Sequence, residues 1–335
     1  MTDPGKTRSL QHVASDDGYF LICALDHLSD FVELVAPDGD RSDYERAAAA
    51  KIEIVRALAP NVSAFLLDPA YGLGPVIHAG ALPGSRGLVA SIEEEGYDGA
   101  GHARETRLRA DWGARKIKLI GADVCKLLWF YRPDSDAAAH QRDVVRRLVD
   151  ECAALSLPLV VEPIWYALEG EDPTTRTWRE RRAEGIVASG IEVAGYGIDM
   201  LKTEFPGYLD DDQGRERAAA ACRALDAGIE VPWVLLSAGV GFEAFTEQLE
   251  LASRAGASGY LAGRSVWRDL VLTHDPRARQ AAAADAAGRL ARLNAVVRAH
   301  GRPFRAAPSL EETLRAYPEA WYRTWQTDAV LVPAA

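Results

Sequence analysis

Lys126 and Lys202 each interrupt a short, otherwise apolar run, Val-Cys-Lys-Leu-Leu and Asp-Met-Leu-Lys-Thr-Glu-Phe-Pro, and Glu162 ends a third, Leu-Val-Val-Glu. Lysine is rarely buried alone, because desolvating an ammonium costs several kcal/mol unless an acid compensates it. A plain ion pair would satisfy either lysine. Two lysines around one carboxylate have a chemical use as well. A lysine that forms a Schiff base attacks a carbonyl as the free amine, and desolvation beside a second cation favours that form. A neighbouring carboxylate can then shuttle protons at the carbinolamine and at a sugar hydroxyl. By residue type alone, either Lys126 or Lys202 fits the nucleophile's part.

Other polar residues close apolar runs in the same way: Asp26-His27 after the first, Asp68 after the second, and Glu204 just past Lys202. Two short glycine-containing turns follow later runs, Ser237-Ala238-Gly239-Val240-Gly241 and Ala262-Gly263-Arg264-Ser265. Such turns lead into helices and can hold an anion on backbone N–H groups, with Arg264 adding charge-assisted hydrogen bonds to phosphate oxygens.

The elements that must carry these residues alternate. Apolar runs at 19–26, 62–68, 88–92, 124–131, 157–162, 198–204, 233–237 and 259–263 read as strands buried on both faces. Amphipathic stretches at 43–59, 105–120, 136–155, 175–194, 213–227 and 242–255 lie between them. Ser42 or Asp43 and Thr174 are suitable caps, and Gly121, Gly228 and Gly256 suitable stops. Eight βα repeats without a GxGxxG after the first strand predict a (β/α)8 TIM barrel, with active-site groups at the C-terminal strand ends. Phosphate sites in such barrels often use the loops after strands seven and eight, which here hold the two glycine turns. Helical stretches at 281–299 and 310–324 are expected to complete the barrel and cover it, within a single domain spanning 1–335. The glycine-rich loop 69–87 is the expected mobile element near the mouth.

A formal net charge of -11 excludes a polyanion as the main partner, while a local cationic pocket can still hold a small phosphorylated sugar. Cys23, Cys125, Cys152 and Cys222 lack CxxC spacing and read as buried thiols in a reducing compartment. Residues 1–11 are polar, without the apolar core of a signal peptide, and no run approaches the roughly 20 apolar residues of a membrane span. A cytoplasmic protein is expected. The seven histidines show neither HxxxH nor HxH spacing, so a metal site would have to be assembled from His27, His78 and His102, and GxSxG is missing too. No metal or organic cofactor is expected.

In these residues the chain resembles the class I tagatose 1,6-bisphosphate aldolase family, which includes the sulfofructose phosphate aldolases. The matching motifs run in family order: Val124-Cys-Lys-Leu-Leu-Trp-Phe-Tyr, Val160-Val-Glu-Pro, Asp199-Met-Leu-Lys-Thr-Glu-Phe-Pro, Leu235-Leu-Ser-Ala-Gly-Val and Ala262-Gly-Arg-Ser-Val-Trp. The resemblance implies Lys202 as the Schiff-base residue, Glu162 as acid/base and Lys126 as its polarising neighbour. Ser237, Gly239 and Arg264 would hold a phosphate; by their places at strand ends Asp26, His27, Asp68 and Gly263 are further substrate-binding candidates, with His27 either contacting sugar hydroxyls or capping its strand. It also implies a homodimer or higher homo-oligomer. The activity implied is cleavage of a ketose 1-phosphate or bisphosphate, such as tagatose 1,6-bisphosphate, to dihydroxyacetone phosphate and an aldehyde. Alternatives are a sulfosugar phosphate aldolase, a transaldolase using the same lysine, another sugar-phosphate isomerase or lyase, and a non-catalytic sugar-phosphate sensor. One departure stands out. The family tends to follow the first-strand Asp with Gln-Arg-Gly, whereas Asp26 here precedes His27-Leu28-Ser29-Asp30, leaving the charge at the far end of the substrate open.

Overall fold

Parallel hydrogen bonding in chain order joins β1 (Phe20–Leu25), β2 (Ala64–Leu67), β3 (Gly87–Ser91), β4 (Val124–Phe130), β5 (Leu159–Ile164), β6 (Met200–Thr203), β7 (Trp233–Leu236) and β8 (Gly259–Ala262). β8 returns to β1 and closes the (β/α)8 barrel. The computed structural model describes residues 3–36, 43–94, 104–273, 275–305, 308–323 and 325. Every apolar run read as a strand overlaps one of the eight. The helices are α1 (Pro4–Val13), α2 (Ser29–Val35), α3 (Asp43–Leu58), α4 (Leu73–His78), α5 (Ala114–Leu119), α6 (Ala138–Ala154), α7 (Arg176–Ala194), α8 (Asp212–Ala227), α9 (Phe242–Ala255), α10 (Arg264–Leu272), α11 (Pro276–His300) and α12 (Leu310–Ala316).

Strand side chains alternate between two apolar regions. Cys23, Phe65, Cys125, Leu127, Val161, Leu201 and Leu235 face the helices. Phe20, Ile22, Ala64, Leu66, Val89, Val124, Val160, Met200, Val234 and Leu261 fill the lower barrel. Buried side chains of this size contribute roughly 1.5–3 kcal/mol each. α1 closes the bottom: Val13 joins the interior cluster, Leu10 packs beneath it, and Phe304 lies 4.9 Å from Phe20. Two residues past Val89, Val124, Val160 and Met200, the same inward face carries Ser91, Lys126, Glu162 and Lys202, which line the cavity at the barrel mouth.

Three expected elements differ. The stretch 105–120 is helical only over Ala114–Leu119. Its first part is held extended by tertiary bonds that outweigh local propensity: Thr106 N–H donates to Gln141 Oε1 (3.1 Å), and Thr106 Oγ1 accepts from Phe130 N–H (2.8 Å). Trp112 Nε1 adds a bond to the carbonyl of Ser91 (2.9 Å). The loop 69–87 contains α4 and contributes nothing to the mouth cavity. The stretch 310–324 is α12 followed by a short 3-10 turn after Pro318; α12 buries none of its residues and, among the described residues, none of this segment reaches the cavity. Capping also shifts by one position, since Thr175 rather than Thr174 accepts from Trp178 N–H at the start of α7. Ser42 lies outside the described residues.

Candidate active site

β4, β5 and β6 are neighbours, so the inward-facing Lys126, Glu162 and Lys202 meet at their C-terminal ends. Glu162 Oε2 accepts from Lys202 Nζ at 2.8 Å and lies 3.0 Å from Lys126 Nζ. Lys126 Nζ also donates to Asp26 Oδ2 on the β1 side (2.9 Å) and to Glu93 Oε1 past β3 (2.5 Å). The set is a chain of charges, Lys202, Glu162, Lys126 and then two further carboxylates, almost wholly buried at the floor of a mouth cavity of about 490 Å³.

The electrostatics follow from this order. Burial disfavours the Lys126 ammonium, but Asp26, Glu162 and Glu93 outweigh it and raise its pKa well above the ordinary lysine value. Lys126 is therefore a fixed cation. Burial likewise works against charge on Glu162, and the two ammoniums reverse that effect, holding its carboxyl below the usual range. Asp26 is lowered in the same way by Lys126 and Lys202 against the cost of burial. Glu162 thus enters any reaction as a carboxylate, the form that accepts protons.

On the opposite side of the mouth, the turn after β7 places two residues in left-handed conformation, Ala238 (φ 46°) and Gly239 (φ 74°). A Cβ on Gly239 would stand 3.4 Å from Arg264 Nη2, so the guanidinium lies against that turn. Ser237, Gly239, Gly263 and Arg264 all line the cavity, as do Asp26 and His27. α9 and α10 begin beside them at Gly241 and Gly263 without side-chain caps, leaving first-turn N–H groups unused by a capping side chain. Arg264 Nη1 bonds Asp30 Oδ2 at 2.7 Å, so Asp30 faces the cavity and already neutralises this cation.

His27 packs edge-on to Trp267 (ring centroids 5.3 Å apart), with its Cε1 2.8 Å from where a Cβ on Gly263 would stand. Burial pushes its imidazole down to about 4, with Arg264, Lys202 and Lys51 reinforcing that and Asp26 opposing it. The neutral ring is the working form. Because the unfolded chain would protonate near 6.5, stability linked to His27 is present above that pH and is lost as pH falls toward 4. NMR titration of the His27 ring should show it still neutral at pH of about 5.5; a midpoint near 6.5 would contradict this.

Asp68 does not reach the cavity, correcting its expected role in substrate binding. It is fully buried, accepts from Tyr71 N–H (2.6 Å) and pairs with Lys51 of α3. Lys51 Nζ also donates to the carbonyls of Leu25 (2.9 Å) and His27 (2.8 Å), gripping the backbone on either side of Asp26. Lys51→Met would strand a buried carboxylate and should cost about 3–5 kcal/mol in denaturant unfolding. Adding Asp68→Leu should restore part of that loss. Glu204 lines the cavity with its carboxyl raised by burial, although Arg182 (2.6 Å) and the N–H of Trp165 (3.0 Å) counteract this.

Sequence reading missed Glu93, Lys51 and Arg104. Extending the β3 alternation Val89, Ser91 by one step reaches Glu93, and Lys51 falls on the helical face with Ala47, Ile54 and Val55. Arg104, in an irregular segment, carries no periodic signal. Of the three histidines considered for a metal, His27 lines the cavity, His78 does not, and His102 lies outside the described residues.

Fold and site together define a (β/α)8-barrel enzyme with a buried lysine–carboxylate centre at its mouth. A family model described as DeoC/LacD family aldolase matches residues 38–269. Among curated relatives, tagatose 1,6-diphosphate aldolase 2 of Enterococcus faecalis is 30% identical over 281 residues, covering 79% of this chain and 84% of its own. Tagatose 1,6-diphosphate aldolase 1 of the same organism is 28% identical, covering 83% and 89%. A Schiff base forming fructose-1,6-bisphosphate aldolase superposes with a TM-score of 0.60 at 17% identity, covering 87% of this chain and 99% of its own. The fructose-bisphosphate aldolase of Plasmodium falciparum gives 0.64 at 12% identity, covering 90% and 96%. The chain belongs to the DeoC/LacD aldolase family and is an aldolase. Among the described residues, no helix is long and apolar enough to cross a membrane.

Proposed function

We propose that Lys202 is the Schiff-base residue of a class I aldolase that cleaves a ketose 1-phosphate or bisphosphate, such as tagatose 1,6-bisphosphate, to dihydroxyacetone phosphate and an aldehyde. One observation carries this reading: Glu162 Oε2 sits between two ammoniums, 2.8 Å from Lys202 and 3.0 Å from Lys126. Lys202 holds one carboxylate, whereas Lys126 is surrounded by three. Lys126 is thereby kept as a cation, leaving Lys202 as the lysine able to lose its proton to the shared carboxylate and attack the C2 carbonyl.

Glu162 returns that proton to the carbinolamine hydroxyl, which leaves as water, giving an iminium at C2 and restoring the carboxylate. Glu162, as a carboxylate, takes the C4 hydroxyl proton while C3–C4 breaks, and the iminium receives the electron pair as an enamine. The aldehyde leaves first. Protonation at C3 and hydrolysis then release dihydroxyacetone phosphate and the lysine. The C1 phosphate rests on the Ser237–Gly239 turn and Gly263, with Arg264 released from Asp30 to bind it. The relatives named for tagatose 1,6-diphosphate support this substrate class.

The test is to incubate the protein with dihydroxyacetone phosphate and borohydride and to map the adduct by mass spectrometry. The expected adduct is on Lys202. A folded protein that binds the ketone yet yields no adduct would refute the reading, and an adduct on Lys126 would exchange the lysines' roles.

A further inference from the structure

We propose that Arg104 forms a second anion subsite, taking a tetrahedral oxyanion, phosphate or sulfonate, at the end of the ketose remote from Arg264. The inference rests on the Schiff-base reading and adds the substrate's other end to it. In an eight-stranded ring β4 stands opposite β8, and β6 with Lys202 lies midway between them. Arg264 follows β8; the Arg104 guanidinium sits over the ring of Phe130, the last residue of β4, at 5.4 Å. Both arginines line the same cavity. A ketose bound covalently at Lys202 therefore has one cation toward each end.

Arg104 also differs from the other cavity cations in its contacts. Lys126 is held by three carboxylates, Lys202 by Glu162 and Arg264 by Asp30. Among the described residues, Arg104 has no carboxylate within ion-pair distance and only the aromatic face beneath it. A guanidinium held over an aromatic face by cation–π attraction spends none of its N–H donors on the ring, and those donors match phosphate and sulfonate oxygens. Glu93 and Glu94 share this wall, but Glu93 is bonded to Lys126 and Glu94 is exposed to water. The position of Arg104 is set two residues later, where fully buried Thr106 is bonded to both Phe130 and Gln141.

The first-strand tail cannot supply this cation. His27 is folded onto Gly263 and Trp267, and Asp30 onto Arg264, so both belong to the β8 corner.

Arg104→Gln and Arg104→Lys should be assayed with three substrates: a ketohexose 1,6-bisphosphate, a 6-deoxy-6-sulfoketohexose 1-phosphate and the plain ketohexose 1-phosphate. Arg104→Gln should lower kcat/KM about 10- to 100-fold for whichever doubly anionic substrate the wild type prefers, the scale of lost charge-assisted hydrogen bonds. The loss on the 1-phosphate should stay within about 3-fold, and Arg104→Lys should recover part of the difference. Preference for bisphosphate or for sulfonate identifies the oxyanion. Equal losses on all three substrates, no loss, or a wild type favouring the plain 1-phosphate would overturn the assignment while leaving the borohydride adduct intact. Failure of wild-type protein to form the adduct would remove the underlying reading, and this assignment with it.

Discussion

Lys202→Met is expected to abolish the borohydride-trapped adduct and to lower kcat by on the order of 10⁴-fold or more, the scale seen when a nucleophile is removed from groups acting as a unit. The substitution keeps the volume of the side chain while removing the amine, so the barrel should fold. It also frees one lone-pair site on Glu162, which Lys126 still contacts at 3.0 Å. Lys126→Met is the informative partner. It removes the cation shared by Asp26, Glu93 and Glu162 but leaves the attacking amine, so some adduct should still form, slowly, with turnover reduced. If Lys126→Met loses the adduct and Lys202→Met retains it, the assignment of the lysines is reversed. Quantitative mass spectrometry of the two variants, with circular dichroism to check folding, distinguishes these outcomes.

That the two lysines are legible in the amino-acid sequence, while their surroundings are not, has a physical basis. A parallel strand buried on both faces admits almost no charge, so Lys126, Glu162 and Lys202 stand out in their apolar runs. The period of two then fixes their common direction, and the βα repeat fixes β5 between β4 and β6. Glycine turns after β7 and β8 are legible for a similar reason, since a short break between strand and helix sits at a known place in a barrel.

Where several distant segments converge, local pattern loses its force. Asp68 reads like Asp26, an acid closing an apolar run, yet Lys51 on α3 draws it away from the cavity. Lys51 itself hides in an alanine-rich helix, where a lysine ordinarily faces water. The first half of the expected helix at 105–120 is held extended by Gln141, Phe130 and Ser91, partners well outside any local window. Arg104 inherits its place from that same override. The direction of Asp30, toward cavity or solvent, depends on α2 and on a residue 234 positions later, Arg264. Strand-borne chemistry is therefore readable, whereas loop-borne specificity is not.

Glu162→Gln should produce the second-largest loss, about 10²- to 10⁴-fold in kcat, because it removes a general base while keeping the shape of the floor. The expected mechanism of that loss is specific. The substituted amide would offer the two ammoniums only a neutral oxygen, so Lys202 and Lys126 would repel one another without the intervening negative charge. Adduct formation should survive, more slowly for want of the carboxylate that takes the Lys202 proton, but C3–C4 cleavage should become limiting. Single-turnover mixing can separate the two steps. In the wild type, the acid limb of the kcat profile should fall below the ordinary carboxylate range of about 4.3, because Lys126 and Lys202 hold Glu162 ionised against the cost of burial. Protonation weakens the enzyme as pH drops through that lowered value. Substituting Lys126 should move the acid limb upward, toward neutrality, by removing one of the two cations responsible. An acid limb that stays put in Lys126→Met, or a Glu162→Gln variant that cleaves at the wild-type rate, would take the proton transfer away from Glu162 and leave Asp26, a second carboxylate that Lys126 holds ionised, as the base to examine next.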